Sequence, residues 1–430
     1  MVWPNNPAGA GCRAGPYRRH IVFVSEILSE KTGGRMSDTQ TAAKSGFILP
    51  RFDKLGVLIA VIALGGVLLP FMIFRANRIV LGEPRMIFEA LATPEALVLA
   101  LLLAAGMVIA LLRFRAGLKL AASLIILIAL FVLVGRSAYF LTPPDDNFAR
   151  ISPGAGFWLL VFAFALLAAD ALTRLRLKPW PRIGILALVA LAFGILLATG
   201  SLNGVSTLKE YATRADRFWS EAQTHVLLAF GSVLIATIVG VPVGIISFRL
   251  PKLRAALLNV LNIVQTIPSI ALFGLLIAPL AWIAATVPGA SLIGISGIGV
   301  APALVALFAY SLLPVVSNTI VGLQSVPEAA NDAAKGMGMT GAQRMGWIEL
   351  PLAFPVILTG IRIVLVQNIG LTTIAALIGG GGFGVFIFQG ISQTAMDLVL
   401  LGAVPTVVLA FAAAVVLDAF VEMTSTGKPQ

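Results

Sequence analysis

Charge is scarce in this chain. Only 11% of its 430 residues are Asp, Glu, Lys or Arg, while 59% are hydrophobic. With a mean hydropathy of +0.99, it has too little polar surface to cover a soluble core of that size, so its solvent is largely lipid. Cysteine is nearly absent, and the lone Cys12 excludes an internal disulfide framework. Two histidines leave little for a metal site, and no His/Asp/Glu or Cys cluster offers the chemistry of a membrane-embedded enzyme. The net charge of +11 sits in short segments between apolar runs, which fits membrane topology better than nucleic-acid binding.

The first 35 residues differ from the rest. "MVWPNNPAGAGCRAGPYRRH" has no apolar region of signal-peptide length, and "IVFV" is too short to be one. Met36 opens "MSDTQTAAKSGFILPRFDKLG", which reads as a bacterial start, and Thr32-Gly33-Gly34 can be encoded as a ribosome-binding site. Residues 1–35 are therefore expected to be start-site over-extension or a disordered cytoplasmic tail.

A membrane-crossing helix needs about 20 mostly apolar residues. Ten stretches qualify: roughly 55–74, 95–112, 118–135, 155–173, 183–200, 224–246, 255–283, 302–323, 353–378 and 398–420. Segment 255–283 holds Pro268 and Pro279 and reads as one kinked crossing. With a cytoplasmic N-terminus, the inside segments carry 16 Lys/Arg against 8 outside, which favours that orientation. Both termini and segment 324–351 then face the cytoplasm. The fold class expected is an all-α polytopic protein of about ten transmembrane helices.

The chain divides into two parts. Residues 36–200 form five spans with little intramembrane polarity, and their role is not legible in the residues. At 208–225, "LKEYATRADRFWSEAQTH" places Leu208, Tyr211, Ala215, Phe218, Trp219 and Ala222 on one helical side. It reads as an amphipathic helix in the outer interface, with residues 201–223 as the boundary. The second five spans, 224–424, hold most of the glycine and amide features.

Segment 331–351, "NDAAKGMGMTGAQRMGWIELP", is the polar exception between two greasy spans. Pro327 precedes a helix-forming run that Asn331 or Asp332 can cap. Ala333 and Ala334 are small enough for another surface to approach closely, and Gly336 and Gly338 permit a sharp stop. A second helical piece, "AQRMGWIEL", follows, and Pro351 marks re-entry into the membrane. A short helix, a turn and a second short helix would expose Ala and Met to a partner.

The spacing Asp332-Ala333-Ala334, three residues, Gly338, nine residues, Ile348-x-Leu350-Pro351 resembles the EAA loop of permease subunits in binding-protein-dependent ABC importers. The family's glutamate is here Asp332, one methylene shorter; a frame starting at Glu328 puts Ala334 where the glycine belongs. "HVLLAFGSVLIATIVGVPVGI" looks like the family's first core span. "NIVQTIPSIALFGLLI", "KGMGMT" and "TTIAALIGGGGFGVFIFQGI" look like its glycine betaine and choline osmoprotectant branch. The resemblance covers about residues 206–420. It implies that Asp332, Ala333, Ala334, Gly336, Gly338, Ile348, Leu350 and Pro351 form a coupling helix seated in a separate ATPase subunit, with the last five spans as the permease core.

No Gly-x4-Gly-Lys-Ser/Thr occurs in the chain, so it is expected to be a transport subunit and no enzyme. No cofactor is expected on this chain, and ATP is used by the partner. The implied assembly has cytoplasmic ATPases, a second permease copy or paralogue, an external solute-binding protein and membrane lipid, with no nucleic acid, in the bacterial inner membrane.

Asn259, Asn262, Gln265 and Thr266, and then Gln367 and Asn368, are candidate pathway or helix-bridging amides. Arg362 lies too deep to snorkel easily and should pair across an interface. "GGGGFG", 379–384, falls in an outside loop, where it serves flexible packing, docking or plain connection. The alternatives are an ABC permease for an amino acid, or a secondary transporter, which calls for charges deep in the spans or inverted repeats with broken helices.

Overall fold

The structure is a computed structural model that describes residues 52–77, 80–143 and 148–425; the expectations for residues 1–35 lie outside it. Pro50–Gln430 is one compact unit. Its elements are α1 (Lys54–Leu68), β1 (Met72–Arg75), β2 (Glu83–Arg85), α2 (Ile87–Ala90), α3 (Thr93–Leu111), α4 (Ala116–Leu141), β3 (Arg150–Pro153), α5 (Ala155–Leu175) and α6 (Pro179–Ala198). Then follow α7 (Ser206–Thr213), α8 (Ala215–Arg249), α9 (Pro251–Thr266), α10 (Ser269–Leu275), α11 (Ile277–Thr286) and α12 (Val300–Gln324). The chain ends with α13 (Glu328–Gly336), α14 (Gly341–Arg344), α15 (Leu350–Ala375), α16 (Gly384–Ser392) and α17 (Met396–Thr424).

Among the described residues, nine helical stretches are long and apolar enough to cross a membrane, and α1 is a shorter apolar helix. The span expected at 55–74 stops at Leu68. Pro70 lacks the N–H that a continuing helix needs and disfavours helical backbone in the residue before it. Met72–Arg75 instead pairs antiparallel with both β2 and β3, in the order β2-β1-β3. This small sheet puts the end of α1 and the start of α5 at the same end of the molecule.

Two further expectations are corrected. Segment 255–283 is not one kinked crossing: α9 stops at Thr266, Ile267 is extended, and α10 and α11 complete the passage. Pro268 forces this break, because its ring pushes the preceding residue out of the helical region. The carbonyl freed at Ile267 accepts the Tyr310 hydroxyl of α12, the kind of repair that makes a broken helix tolerable in lipid. Likewise, 208–225 is not one interfacial helix. It breaks at Arg214, and residues from Ala215 onward run without interruption into the 35-residue α8. Its apolar stripe, Tyr211, Phe218 and Ala222, packs on Phe383, Phe386 and Leu398 of the chain itself. An amphipathic face needs an apolar partner, and periodicity does not say whether that partner is lipid or protein.

Helices α8, α12 and α15 pack together at the centre of the second half, with α17 against α15. A Cβ on Gly244 would lie 2.7 Å from Thr319 Cβ, so Gly240-x3-Gly244 lets α8 and α12 touch closely. The first half has its own core around Phe71, Leu99, Leu130, Phe157 and Phe164. The halves are fastened through α17. Ser152 Oγ of β3 lies 2.5 Å from Asp397 Oδ1 at one end of that helix. At its other end, Arg182 of α6 reaches Asp418 and Glu422.

Candidate functional site

Segment 324–351 has the expected helix–turn–helix form. Helix α13 starts at Glu328 behind Pro327, so Asn331 and Asp332 lie inside it and cap nothing; this corrects the expected cap. Proline at the cap position already sets the entry angle, and it needs no partner for a missing N–H. The turn falls on Gly338 with φ 79, a left-handed conformation that glycine adopts without strain. Thr340 then caps α14 by a reciprocal box: its Oγ1 accepts the Gln343 N–H and its own N–H donates to Gln343 Oε1. That Thr-x-x-Gln spacing is itself a sequence signal of a helix start.

From Gly341 the chain is helical to Ile378 without a gap, passing through one π-helical turn, Met345–Glu349. Pro351 therefore marks no break. Its missing N–H falls in the turn where the hydrogen-bond pattern changes. Anything that pushes on this segment pushes on α15.

Ala334 is fully buried within the chain, contrary to the expected docking role. It faces inward, and α13 packs against the π-helical turn. Asp332, Ala333, Gly336 and Gly338 are exposed, and Asp332 pairs with Lys335 at 3.0 Å. Ile348 and Leu350 are half-buried and Pro351 is exposed. The outward apolar groups are Met337, 73% exposed, and Trp347, 77% exposed. With Gly338, Met339 and Gln343 they line a shallow depression of about 320 Å³. Glu349 is buried and lies 3.3 Å from Arg249 at the end of α8. This pair locks the segment's base to a second membrane helix, and nothing in the local pattern around either residue announces it.

The candidate amides separate into two kinds. Asn368 is fully buried on α15, and its Nδ2 donates to Ser232 Oγ of α8 and Ser311 Oγ of α12, both at 2.8 Å. Gln265 donates to the Tyr310 carbonyl at 3.0 Å. These two bridge helices. Thr266 bonds back to Ile263 of its own helix. Asn259, Asn262 and Thr266 share an exposed face of α9, and among the described residues the two asparagines make no side-chain hydrogen bond. Gln367 is half-buried and likewise makes no side-chain hydrogen bond among the described residues.

The glycine run 379–384 is a tight, held turn. Gly379, Gly381 and Gly382 have positive φ. The Gly382 N–H donates to Glu221 Oε2 at 2.7 Å and the Phe383 N–H to His225 Nδ1 at 3.3 Å. Successive backbone donors in such a turn form a concavity suited to an anion, and here Glu221 of α8 fills it. At the opposite end of the molecule, Asp53 takes Lys119 Nζ at 2.8 Å and Arg174 at 2.7 Å. Burial pushes the Asp53 carboxyl up, but the two cations outweigh it and hold it at about 2.

Residues 53–208 match the family described as "ABC transporter permease YehY, N-terminal domain". Residues 232–425 match "Binding-protein-dependent transport system inner membrane component". The chain is 45% identical over 186 residues to the osmoprotectant import permease protein OsmW of Salmonella typhimurium, covering 43% of this chain and 81% of that one. It is 38% identical to the glycine betaine/carnitine/choline transport system permease protein OpuCB of Bacillus subtilis, covering 43% and 78%. Among solved structures it is similar to the inward-facing MetNI methionine ABC transporter, at 20% identity and a TM-score of 0.43, covering 49% of this chain and 96% of that one. The chain is a multi-pass membrane protein that belongs to the family of binding-protein-dependent transport system inner membrane components, the permease subunits of ABC importers.

Proposed function

We propose that this chain forms the transmembrane path of an ATP-driven importer for a quaternary-amine osmoprotectant of the glycine betaine, choline and carnitine class. The observation that carries the coupling part is the surface of exposed Met337, Gly338 and Trp347 beside half-buried Met339, of which Trp347 sits on the helix that runs unbroken from Gly341 into α15. It seats in a separate ATPase subunit on the cytoplasmic side, and a solute-binding protein delivers substrate on the other. Shifting a pathway from about 1:99 to about 99:1 between two orientations takes about 5.5 kcal/mol of differential free energy. Nucleotide binding in the partner supplies it through α15, which Asn368 ties to α8 and α12.

The substrate class rests on the names of the relatives. The exposed α9 face of Asn259, Asn262 and Thr266 faces the pathway or a second permease copy, while Gln265 and Asn368 hold the helices that frame it. Gln367 is the remaining candidate for lining. Residues 36–200 are an N-terminal membrane region of this subunit, and both termini are cytoplasmic.

The test is reconstitution of the chain with its co-purifying ATPase and binding protein in vesicles. Labelled glycine betaine, choline, carnitine and amino acids are offered with and without ATP. ATP-dependent accumulation of a quaternary amine is expected. Uptake driven by an ion gradient, with no associated ATPase, would instead establish a secondary transporter.

A further inference from the structure

Three helices from the two halves of the chain meet on one carboxylate. Asp418, near the end of α17, takes Arg362 Nη1 of α15 on Oδ1 at 2.5 Å and Arg182 Nη1 of α6 on Oδ2 at 3.1 Å. Arg182 Nη2 lies 2.9 Å from Glu422 Oε2, and its Nε donates to the Leu177 carbonyl at 2.8 Å. All three nitrogens of that guanidinium are therefore in use, in a forked geometry that an ammonium cannot reproduce. Two arginines face two carboxylates, so the cluster is balanced as it stands.

The second fastening of α17, Ser152 on Asp397, lies 21 residues away along the same helix, about 31 Å at the usual rise. The N-terminal half thus grips α17 near both ends. Helix α15, by contrast, runs directly into segment 341–349 and carries Arg362.

We propose that Asp418 is the joint by which the N-terminal helices act on transport. They hold α17 as a fixed rail, and Arg362 registers α15 against that rail when the coupling segment moves. Arg182 is the positioning residue: it touches neither the partner-facing surface nor the α9 face, yet it fixes the carboxylate on which Arg362 bears. This inference rests on the importer reading above and gives residues 52–198 a part in it.

Two measurements on the full chain in its complex test the joint. The first compares uptake per ATP hydrolysed for wild type, Arg182→Met and Arg182→Lys. Arg182→Met should assemble and hydrolyse ATP normally while uptake per ATP falls at least about fivefold, the lower end of ordinary coupling energies. Arg182→Lys, whose ammonium cannot fork across both carboxylates, should lie between wild type and Arg182→Met. An unchanged ratio, or hydrolysis and uptake falling together, overturns the proposal. The second places spin labels at Trp180 and Phe420, both exposed, with Cys12 replaced by Ser. One narrow distance is expected in nucleotide-free and ATP-bound states, broadening in Arg182→Met; a wild-type distance that shifts with nucleotide overturns the fixed rail. A wild-type complex with no ATP-driven uptake would refute the importer reading, and the distance measurement would still judge the rail.

Discussion

The Asn368 side chain donates from Nδ2 to Ser311 Oγ at 2.8 Å, across the contact between α15 and α12. The same nitrogen reaches Ser232 on α8, so one amide joins the three central helices. Interhelical bonds of this kind contribute about 0.6 kcal/mol on average within a membrane and up to about 1.7. Asn368→Ala should therefore lower stability by about 1 kcal/mol, read as the shift in a detergent-unfolding curve of the purified chain. Both serines keep own-helix carbonyls as partners, so the loss should not be larger. Gln367→Ala, beside it and with no side-chain hydrogen bond among the described residues, should stay within about 0.5 kcal/mol. Equal losses for both would refute the bridging role.

Neighbouring alanines on α13 should behave oppositely. Ala333 is exposed and Ala334 fully buried. In a chain lacking Cys12, a cysteine at 333 should react quickly with a membrane-impermeant maleimide in inside-out vesicles, and one at 334 slowly. Comparable rates at both sites would contradict the packing of α13. Labelling of Ala333→Cys only from the opposite face would reverse the proposed topology.

Gly384 and Gly346 make a similar pair. A Cβ at Gly384 would fall 1.8 Å from the Thr373 carbonyl oxygen, whereas one at Gly346 would meet nothing within 4 Å. Overpacking against fixed backbone costs about 1–3 kcal/mol, so Gly384→Ala should reduce the yield of folded chain or its melting temperature. Gly346→Ala should fold normally. A normally stable Gly384→Ala would show that α15 and α16 separate easily at that contact.

Asp53 sets a pH dependence. Its carboxyl sits at about 2 against the ordinary 3.8, because Lys119 and Arg174 favour the charged form. The folded-state value is depressed, so its stabilisation is complete above about pH 4 and lost as pH falls through about 2. Lys119 is 1% exposed. At neutral pH, Asp53→Asn leaves that ammonium without its carboxylate, a loss of about 3 kcal/mol for a buried pair. Thermal melts of wild type and Asp53→Asn from pH 6 down to pH 2.5 should show the gap closing. A gap that is constant or widens on acidification would mean that Asp53 is not held ionised.

How much was readable depended on whether one solvent or one neighbour decided the matter. Most expected spans correspond to apolar helices because hydrocarbon imposes composition on every crossing residue. The Asp332–Pro351 spacing and the Gly338 turn were legible because backbone conformation there is local. Arg362 was expected to need a partner, and depth alone said so. That the partner is Asp418, and that Arg182 shares it, was not legible: positions 182, 362 and 418 lie on helices far apart in the chain, and no local pattern links them. The stripe of Tyr211, Phe218 and Ala222 misled for the same reason. It records that an apolar partner exists and leaves open which one.

By itself, the sequence determined that the chain lives in lipid, roughly where most of its apolar spans lie, and which stretch lies between spans as a polar knuckle. Those properties follow from transfer energies and backbone preferences that each residue carries with it. Tertiary structure alone decided which of two adjacent alanines faces out and which carboxylate receives two arginines. Each of these depends on distances between groups remote in sequence, and such distances exist only once the helices have packed.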